Sequence, residues 1–328
     1  MHREYLKGTK TMLKIAIVGT GIISGVHIDS IGKLPDCELV ALCDINEEKV
    51  KALALENNVP YFLNYKDIPG AVDCDAVILN LPHGLHCEAS VFFLDHGINV
   101  LVEKPMANTV KECDIMLEAA KRNGKKLAIA HIQRFCTPNI IIKDYIDSGK
   151  LGKLCMYTEQ RTINYFLDKR PRWFLDKKMA GGGIVMNYGA HALDKLFSLT
   201  GARPVSIDAN CANIKNDFSV EGHAQIFAKF DNGMTASITF SGYTTSVWES
   251  IYYFTEGALR LRGSNDLEVN RDDGQGWVKV PNTFDGLDFV RELTEFCKFV
   301  NGEPSMIPDG EYSRDIIAAI EKVYEHIV

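Results

Sequence analysis

The sequence lacks the features of secreted, membrane-spanning and nucleic-acid-binding proteins. Its nine cysteines are scattered and no C-x-x-C pair occurs, which predicts reduced thiols in a cytoplasmic protein, with neither a disulfide framework nor a zinc site. No apolar run approaches the roughly 20 residues that span a bilayer, and the N-terminus lacks the apolar core of a signal peptide. The formal net charge of −7 argues against partners such as nucleic acid or an anionic membrane surface.

The composition that is present is that of an ordinary globular protein. The 328 residues are 46% hydrophobic and 24% charged, enough chain for two domains with cores of their own. Residues 1–11 are polar and precede strand-like sequence at Met12. We therefore predict that they form a tail outside the fold.

A dinucleotide-binding pattern opens the folded part. The apolar run Lys14–Val18 predicts a strand, and the glycine-rich turn that follows leads into a predicted helix. Gly19 permits the tight turn, and Gly21 lets the backbone approach a pyrophosphate at the helix N-terminus, where amides favour anions. Ile22 and Ile23 begin the helix and are included among the predicted cofactor contacts.

Two further residues qualify this pattern. Ser24 stands where a third glycine is usual, but it is small enough for close packing of helix on strand. A second predicted strand, Glu38–Cys43, ends in Asp44, where a carboxylate can bind both ribose hydroxyls and would repel a 2′-phosphate. NAD is therefore favoured over NADP. A purely structural turn is the alternative interpretation.

Alternating strands and helices continue to Ala130 and predict an α/β fold, a Rossmann doubly wound parallel sheet. The last strand but one ends in Glu103, Lys104 and Pro105. Because strand carboxyl ends face the ligand crevice in such sheets, Lys104 is expected at the mouth of a site, and a solvated Glu-Lys pair is the alternative. The predicted cofactor contacts at these strand ends are Asn80, Pro82, His86, Glu103 and Lys104.

The histidine spacing in this half does not indicate a metal centre. His83 and His86 are three residues apart, but no third ligand lies nearby in the sequence. We predict instead that they lie near the cofactor or cap a helix, and that the protein has no metal site.

The pattern changes after Gln133. A predicted helix, Pro138–Ser148, is followed by β-rich segments, which are Leu154–Thr162, Val205–Ile214, His223–Phe230, Thr235–Tyr243, Ser250–Glu256 and Ala258–Arg262. They predict a C-terminal α+β domain with a large, mostly antiparallel open sheet, covered on one face by helices. The predicted division is a Rossmann domain over 12–133 and a substrate-binding and oligomerisation domain over 134–328.

A glycine triplet interrupts this second half. Gly181–Gly183 lead into a predicted helix on which Asn187 and His191, four residues apart, share a face, with Asp194 on the same stripe. Such a polar stripe in an apolar helix is awkward to bury without partners. We predict an active-site role for Asn187 and His191, and a structural histidine is the alternative.

The loop before the triplet is basic and aromatic, over 168–174. Arginines suit carboxylate or phosphate and aromatic faces suit sugar CH groups, so the loop is interpreted as a wall of a substrate pocket. The alternative is a solvated loop with local ion pairs.

Three segments resemble the glucose-fructose oxidoreductase / inositol dehydrogenase (Gfo/Idh/MocA) family. They are DAVILNLPHGLHCEASVFFLDHGINVLVEKP, HIQRFCTPNI and the glycine triplet with its Asn-x-x-x-His-x-x-Asp continuation. The resemblance implies that Lys104 is the active-site lysine, that the Lys104–Pro105 bond is cis, and that His191 takes part in proton transfer. It also implies a homodimer or homotetramer formed through the C-terminal sheet. Asn187 stands where many members have Asp, which places a proton relay in question.

With the residues above, the resemblance implies a dehydrogenase that transfers a hydride from a secondary alcohol of a sugar, cyclitol or related polyol to NAD. His191 is predicted to be the general base, since its unperturbed pKa lies nearest neutrality, and Lys104 to stabilise the developing alkoxide. Two alternatives are a redox-neutral, NAD-dependent glycoside-cleaving enzyme of the same family and a non-catalytic NAD-binding regulator.

Overall fold

The computed structural model describes residues 12–167, 170–214, 217–282 and 284–326. The predicted tail, 1–11, and two residues of the basic loop, Asp168 and Lys169, lie outside this range. The chain divides into two compact units. The first holds the described residues up to Ile132 together with Gly286–Arg314, and the second holds Gln133–Asp285 and the described residues from Asp315 onward.

The first unit is built on a parallel sheet. Its strands are β1 Leu13–Val18, β2 Cys37–Cys43, β3 Tyr61–Phe62, β4 Ala76–Leu79, β5 Asn99–Glu103 and β6 Leu127–Ala130. They lie in the order β3-β2-β1-β4-β5-β6 with every pair parallel. This is the strand order of the doubly wound dinucleotide-binding fold, so the predicted α/β class is confirmed. All residues of β4 and β6 are buried, as expected for strands covered on both faces.

The helices end where local signals place them. They are α1 Ile22–Lys33, α2 Glu47–Asn57, α3 His86–Asp95, α4 Val110–Asn123, α5 Thr137–Ser148, α6 Lys177–Ala180, α7 Ala190–Thr200, α8 Asp288–Val300 and α9 Gly310–Tyr324. In α4, Thr109 and Glu112 form a reciprocal capping box, and Gly124 ends the helix at φ 61°. Across the described residues no helix is long and apolar enough to cross a membrane.

Helix α8 belongs to the first unit, whereas the predicted division placed it in the second domain. Its Phe289 ring packs edge-on against His27 of α1, with ring centroids 5.5 Å apart. Its Cys297 Sγ lies 3.2 Å from Cys37 Sγ at the start of β2. The apolar face of α8 therefore completes the core of the first unit. Sequence order alone does not reveal this, because its partners are more than 250 residues away.

The second unit contains a mixed sheet. Its strands are β7 Leu154–Asn164, β8 Pro204–Ala212, β9 His223–Phe230, β10 Thr235–Ser241, β11 Tyr243–Phe254, β12 Gly257–Arg262, β13 Asp266–Asn270 and β14 Val278–Lys279. The order is β14-β13-β12-β11-β7-β10-β9-β8, and only β7 and β10 pair in parallel. The predicted mostly antiparallel sheet is confirmed. Strand β11 begins earlier than predicted, and β13 and β14 were not predicted.

The glycine triplet leads into a π-helical turn, Val185–Gly189, before α7 begins. The sequence predicted a helix over this segment, and the structure has one, but its first part is π-helical rather than α-helical. A π turn holds more residues than an α turn, so the four-residue spacing does not by itself place Asn187 and His191 on one face.

Candidate functional site

The glycine-rich turn after β1 has the shape that its sequence predicts. Gly19 adopts φ +91°, and a Cβ built on it would lie 2.4 Å from the backbone oxygen of Asn80. Both facts exclude a side chain. Gly21 precedes α1 without a side-chain cap, and a Cβ there would meet nothing within 4 Å. The amides at the start of α1 are thus open to an anionic ligand.

Asp44 follows β2 and is held by three hydrogen bonds. Its Oδ2 accepts from the Thr20 amide (2.7 Å) and hydroxyl (2.8 Å), and its Oδ1 accepts from the Asn46 amide (2.9 Å). Partial burial acts to raise the pKa of Asp44, but the hydrogen bonds from Asn46 and Thr20 outweigh it and lower that pKa. Asp44 is therefore an oriented carboxylate at neutral pH. Thr20 was not predicted, because only its position between two glycines marks it.

Asn80, which follows β4, has a side chain suited to a bound ligand. Its Oδ1 and Nδ2 are buried and have no hydrogen-bond partner among the described residues. Leaving both unpaired is costly, so a group that pairs with them would stabilise the site. The Ile22 side chain, 98% exposed, adds apolar surface beside the turn, and Ile23 and Pro82 are partly exposed. These features together fit the binding of a dinucleotide: the close backbone approach at Gly19, the oriented carboxylate of Asp44 and the unpaired side-chain amide of Asn80.

His86, predicted as a cofactor contact, begins α3 and has its ring against backbone at the ends of two strands. The ring is completely buried, with Nδ1 2.8 Å from the Pro105 carbonyl oxygen and Nε2 2.8 Å from the Leu81 carbonyl oxygen. Burial lowers the pKa of His86. Both ring nitrogens thus contact backbone, and His86 can assist a cofactor only by holding the two loops that carry Leu81 and Pro105.

Lys104 comes directly after β5, and the Lys104–Pro105 bond is cis, as the resemblance implied. The Lys104 amide donates to Glu103 Oε2 (3.2 Å), while Glu103 Oε1 lies 3.1 Å from His27 Nε2. His27 is a buried residue of α1 that the sequence did not single out. Glu103 therefore ties the backbone of Lys104 to the helix that begins at the glycine-rich turn.

In the second unit the glycine triplet is explained by close packing. A Cβ on Gly182 would lie 1.8 Å from the Tyr324 hydroxyl, and one on Gly183 would lie 2.0 Å from the Glu221 backbone oxygen. The buried Glu221 carboxylate accepts hydrogen bonds from the amides of Gly183 (2.8 Å) and Val185 (2.9 Å) and from the Tyr324 hydroxyl (3.0 Å). These contacts fix the start of the π turn. Burial raises the pKa of Glu221 against the effect of these bonds.

The predicted polar residues beyond the triplet separate into two roles. Asn187 is buried, and its Nδ2 donates to the Tyr165 hydroxyl (3.3 Å). Asp194 is fully buried, and its Oδ1 accepts a hydrogen bond from Arg134 (3.0 Å). Its role is therefore structural. His191 lies in the first turn of α7 and is partly exposed.

The predicted site residues thus form two groups. The first unit holds Gly19, Gly21, Ile22, Ile23, Asp44, Asn80, Pro82, His86, Glu103 and Lys104, and the second holds Asn187 and His191. Over the described ranges, no group of three or more His, Cys, Asp or Glu side chains could hold a metal ion.

Comparison with known proteins gives one family for both units. Residues 13–131 match the Gfo/Idh/MocA "Oxidoreductase family, NAD-binding Rossmann fold", and residues 141–264 match the C-terminal domain of the same family. The chain is 25% identical to D-glucoside 3-dehydrogenase of Escherichia coli (strain K12), over 97% of this chain and 96% of that protein.

A second relative matches a shorter region. The chain is 33% identical to 1-carboxy-3-chloro-3,4-dihydroxycyclo hexa-1,5-diene dehydrogenase of Comamonas testosteroni, over 52% of this chain. That alignment spans 43% of the Comamonas protein, less than half its length.

Solved structures share the fold. An aldose-aldose oxidoreductase from Caulobacter crescentus has a TM-score of 0.85 at 24% identity, covering 96% of this chain and 97% of that one. A levoglucosan dehydrogenase has a TM-score of 0.86 at 18% identity, covering 96% of each chain. With both family domains matched, the chain belongs to the Gfo/Idh/MocA family of NAD(P)-dependent oxidoreductases.

Proposed function

We propose that the protein is a dehydrogenase that oxidises a secondary alcohol of a sugar, cyclitol or related polyol. The observation that carries this proposal is the lysine held at the end of β5 in the same unit as the open glycine turn, Asp44 and Asn80. The E. coli relative is named for a glucoside and the Comamonas relative for a dihydroxylated ring, which supports a ring alcohol as substrate.

Four residues of the first unit would hold the dinucleotide. The backbone at Gly19 and Gly21 would receive the pyrophosphate, Asp44 the ribose hydroxyls, and Asn80 a polar group of the cofactor. When bound, the nicotinamide supplies the hydride acceptor. The negative charge of Asp44 favours NAD, although a relative in Haloarcula marismortui, 25% identical, is named as an NADP-dependent D-xylose 1-dehydrogenase.

The proposed chemistry on the substrate needs a base and a fixed cation. His191 takes the hydroxyl proton, and Lys104 stabilises the alkoxide that develops as the hydride leaves. Asn187 cannot take up a proton, so its proposed role is to orient substrate through an amide that is itself held by the Tyr165 hydroxyl.

A coupled assay tests this proposal. Purified protein is mixed with NAD or NADP and a panel of cyclitols, aldoses, uronic acids, sugar phosphates and glycosides, and NADH or NADPH is followed at 340 nm. We expect net NADH from at least one ring alcohol, with NAD preferred. Sugar release without net NADH would indicate the redox-neutral glycoside-cleaving enzyme. NAD binding without any turnover would indicate the regulator.

We also propose that the protein is cytoplasmic and associates with copies of itself through the second unit. Helix α7 packs on one face of the sheet, with Lys195 against Ser250 of β11. The other face exposes Met156 of β7, Phe227 of β9 and Val247 of β11, an apolar set suited to a second copy. Sedimentation of the purified protein measures this, and a monomer at micromolar concentration would contradict it.

A further inference from the structure

Arg161 of β7 has its guanidinium in contact with two aromatic rings. Its Cζ lies 3.9 Å from the Tyr188 ring centroid and 4.2 Å from the Trp248 ring centroid. Trp248 is the direct cross-strand neighbour of Arg161 on β11, and Tyr188 comes from the π turn beside Asn187. All three side chains are partly exposed. The two rings hold the guanidinium by cation–π contacts, which use the faces of the rings and none of the N–H groups of the guanidinium.

Among the described residues, Arg161 forms no ion pair with an acidic neighbour. Glu159, two residues earlier on the same face of β7, has its carboxylate engaged by Lys195 Nζ (2.9 Å) and by the Tyr157 hydroxyl. Within the described ranges, no carboxylate lies within 4 Å of the Arg161 guanidinium nitrogens. Burial lowers the pKa of Arg161, with Glu159 opposing that effect. A bound anion would stabilise a partly buried cation whose N–H donors are unused.

Two further observations connect Arg161 with the proposed substrate residues. The Tyr188 ring lies 6.1 Å from the Tyr165 ring, and the Tyr165 hydroxyl accepts the hydrogen bond from Asn187. Arg170 covers the same Tyr165 ring, with its Cζ 3.8 Å from the centroid. In addition, Trp248 Nε1 is buried without an acceptor among the described residues. Two arginines therefore contact the tyrosines beside Asn187, and the indole N–H of the tryptophan next to Arg161 is an unused donor.

We propose that Arg161 binds a carboxylate of the substrate, so that the preferred substrates are sugar acids or carboxylated cyclitols rather than neutral sugars. A planar carboxylate matches the N–H fork of a guanidinium, through two parallel hydrogen bonds. This inference rests on the proposed dehydrogenase function and specifies the substrate class. A phosphate monoester offers related chemistry, and the test below distinguishes the two.

The test compares matched substrates in the NAD-coupled assay: D-glucuronate, D-glucose and D-glucose 6-phosphate, and the corresponding galactose series. The wild type should prefer the uronic acids. Arg161→Met should raise KM for a uronic acid by about 10- to 100-fold, as expected for a lost hydrogen-bonded charge pair, and change kcat/KM for the neutral sugar less than about two-fold. Wild-type preference for the neutral sugar or the phosphate would overturn the inference.

Two further variants separate recognition from folding. Arg161→Lys keeps the positive charge but cannot donate two parallel hydrogen bonds to one carboxylate. It should give an intermediate KM for a uronic acid. The matched control is Arg260→Met, because Arg260 also covers a tryptophan ring, with its Cζ 4.3 Å from the Trp277 centroid, but is paired with Glu268 at 2.6 Å. It should leave the preference for uronic acids unchanged. Equal losses in Arg161→Met and Arg260→Met would overturn the inference.

A binding measurement keeps the inference separate from the proposed function. D-Glucuronate and D-galacturonate are titrated calorimetrically into the NADH-bound protein and into its Arg161→Met variant. Binding that requires Arg161 supports the carboxylate site even if no sugar is oxidised, in which case the dehydrogenase proposal alone fails. Oxidation of neutral sugars without Arg161-dependent binding of either acid overturns the carboxylate site alone.

Discussion

Lys104→Ala is expected to lower kcat by about 10²- to 10³-fold, the usual cost of removing one group that stabilises developing negative charge. Lys104 is suited to this role because its backbone is fixed on both sides. Its amide donates to Glu103, and the carbonyl of the following Pro105 contacts the buried ring of His86. A charge that is already in place needs no reorganisation when the alkoxide forms.

The measurement is the initial rate of NADH formation with saturating substrate, together with NAD affinity from tryptophan or NADH fluorescence. NAD affinity should fall far less than kcat, because Gly19, Gly21, Asp44 and Asn80 remain to hold the dinucleotide. The matched control is Lys111→Ala, an exposed lysine of α4, which should retain full activity. An unchanged kcat in Lys104→Ala would contradict the mechanism.

Lys195→Met is expected to lower the free energy of unfolding of the second unit by about 3–5 kcal/mol, the range for removing one partner of a buried ion pair. Lys195 is 2% exposed and Glu159 3% exposed. The Lys195 Nζ lies 2.9 Å from Glu159 Oε2 and 2.9 Å from Ser250 Oγ. Burial acts to raise the pKa of Glu159, but the charge of Lys195, the hydrogen bonds from Tyr157 and Lys195 and the charge of Arg161 together outweigh it and lower that pKa. Without Lys195, the carboxylate stays buried without its cation.

Tryptophan fluorescence in urea measures this loss directly. All three tryptophans, Trp173, Trp248 and Trp277, belong to the second unit, so the signal reports that unit. Adding Glu159→Gln to Lys195→Met should recover much of the stability, because it removes the unpaired charge. Lys322→Met, at an exposed pair with Glu325, should change it by less than about 0.5 kcal/mol. A loss below about 1 kcal/mol in Lys195→Met would contradict the assignment of a buried pair.

The features that the sequence predicted are those set by local chemistry. The turn at Gly19 needs a positive φ and a close approach, and only glycine supplies both. Helix α4 is bounded by its own capping box and by Gly124. The alternation of apolar strands and helices predicts the parallel sheet without knowledge of any long-range contact.

The features that were missed depend on partners distant in the chain. His27 contacts Glu103, 76 residues later, and Tyr324 contacts Glu221, 103 residues earlier. No spacing rule connects such pairs. The π turn at Val185–Gly189 was missed for the same reason, since the carboxylate that fixes its start comes from Glu221.

His86 shows a related limit. A histidine near strand ends is a reasonable candidate for a ligand contact, but burial and two carbonyl neighbours assign it to the backbone of Leu81 and Pro105. Residue type and position predicted the correct region, and only the packing determines which atoms the ring contacts.

The central claim, that a hydride passes from a substrate carbon to NAD, is tested most directly with an isotopic label. The best substrate of the panel is prepared with deuterium on its carbon atoms, and the NADH that forms is analysed by mass spectrometry. We expect reduced cofactor one mass unit heavier than NADH made from unlabelled substrate. Reduced cofactor without deuterium, or substrate conversion with no reduced cofactor released, would contradict it.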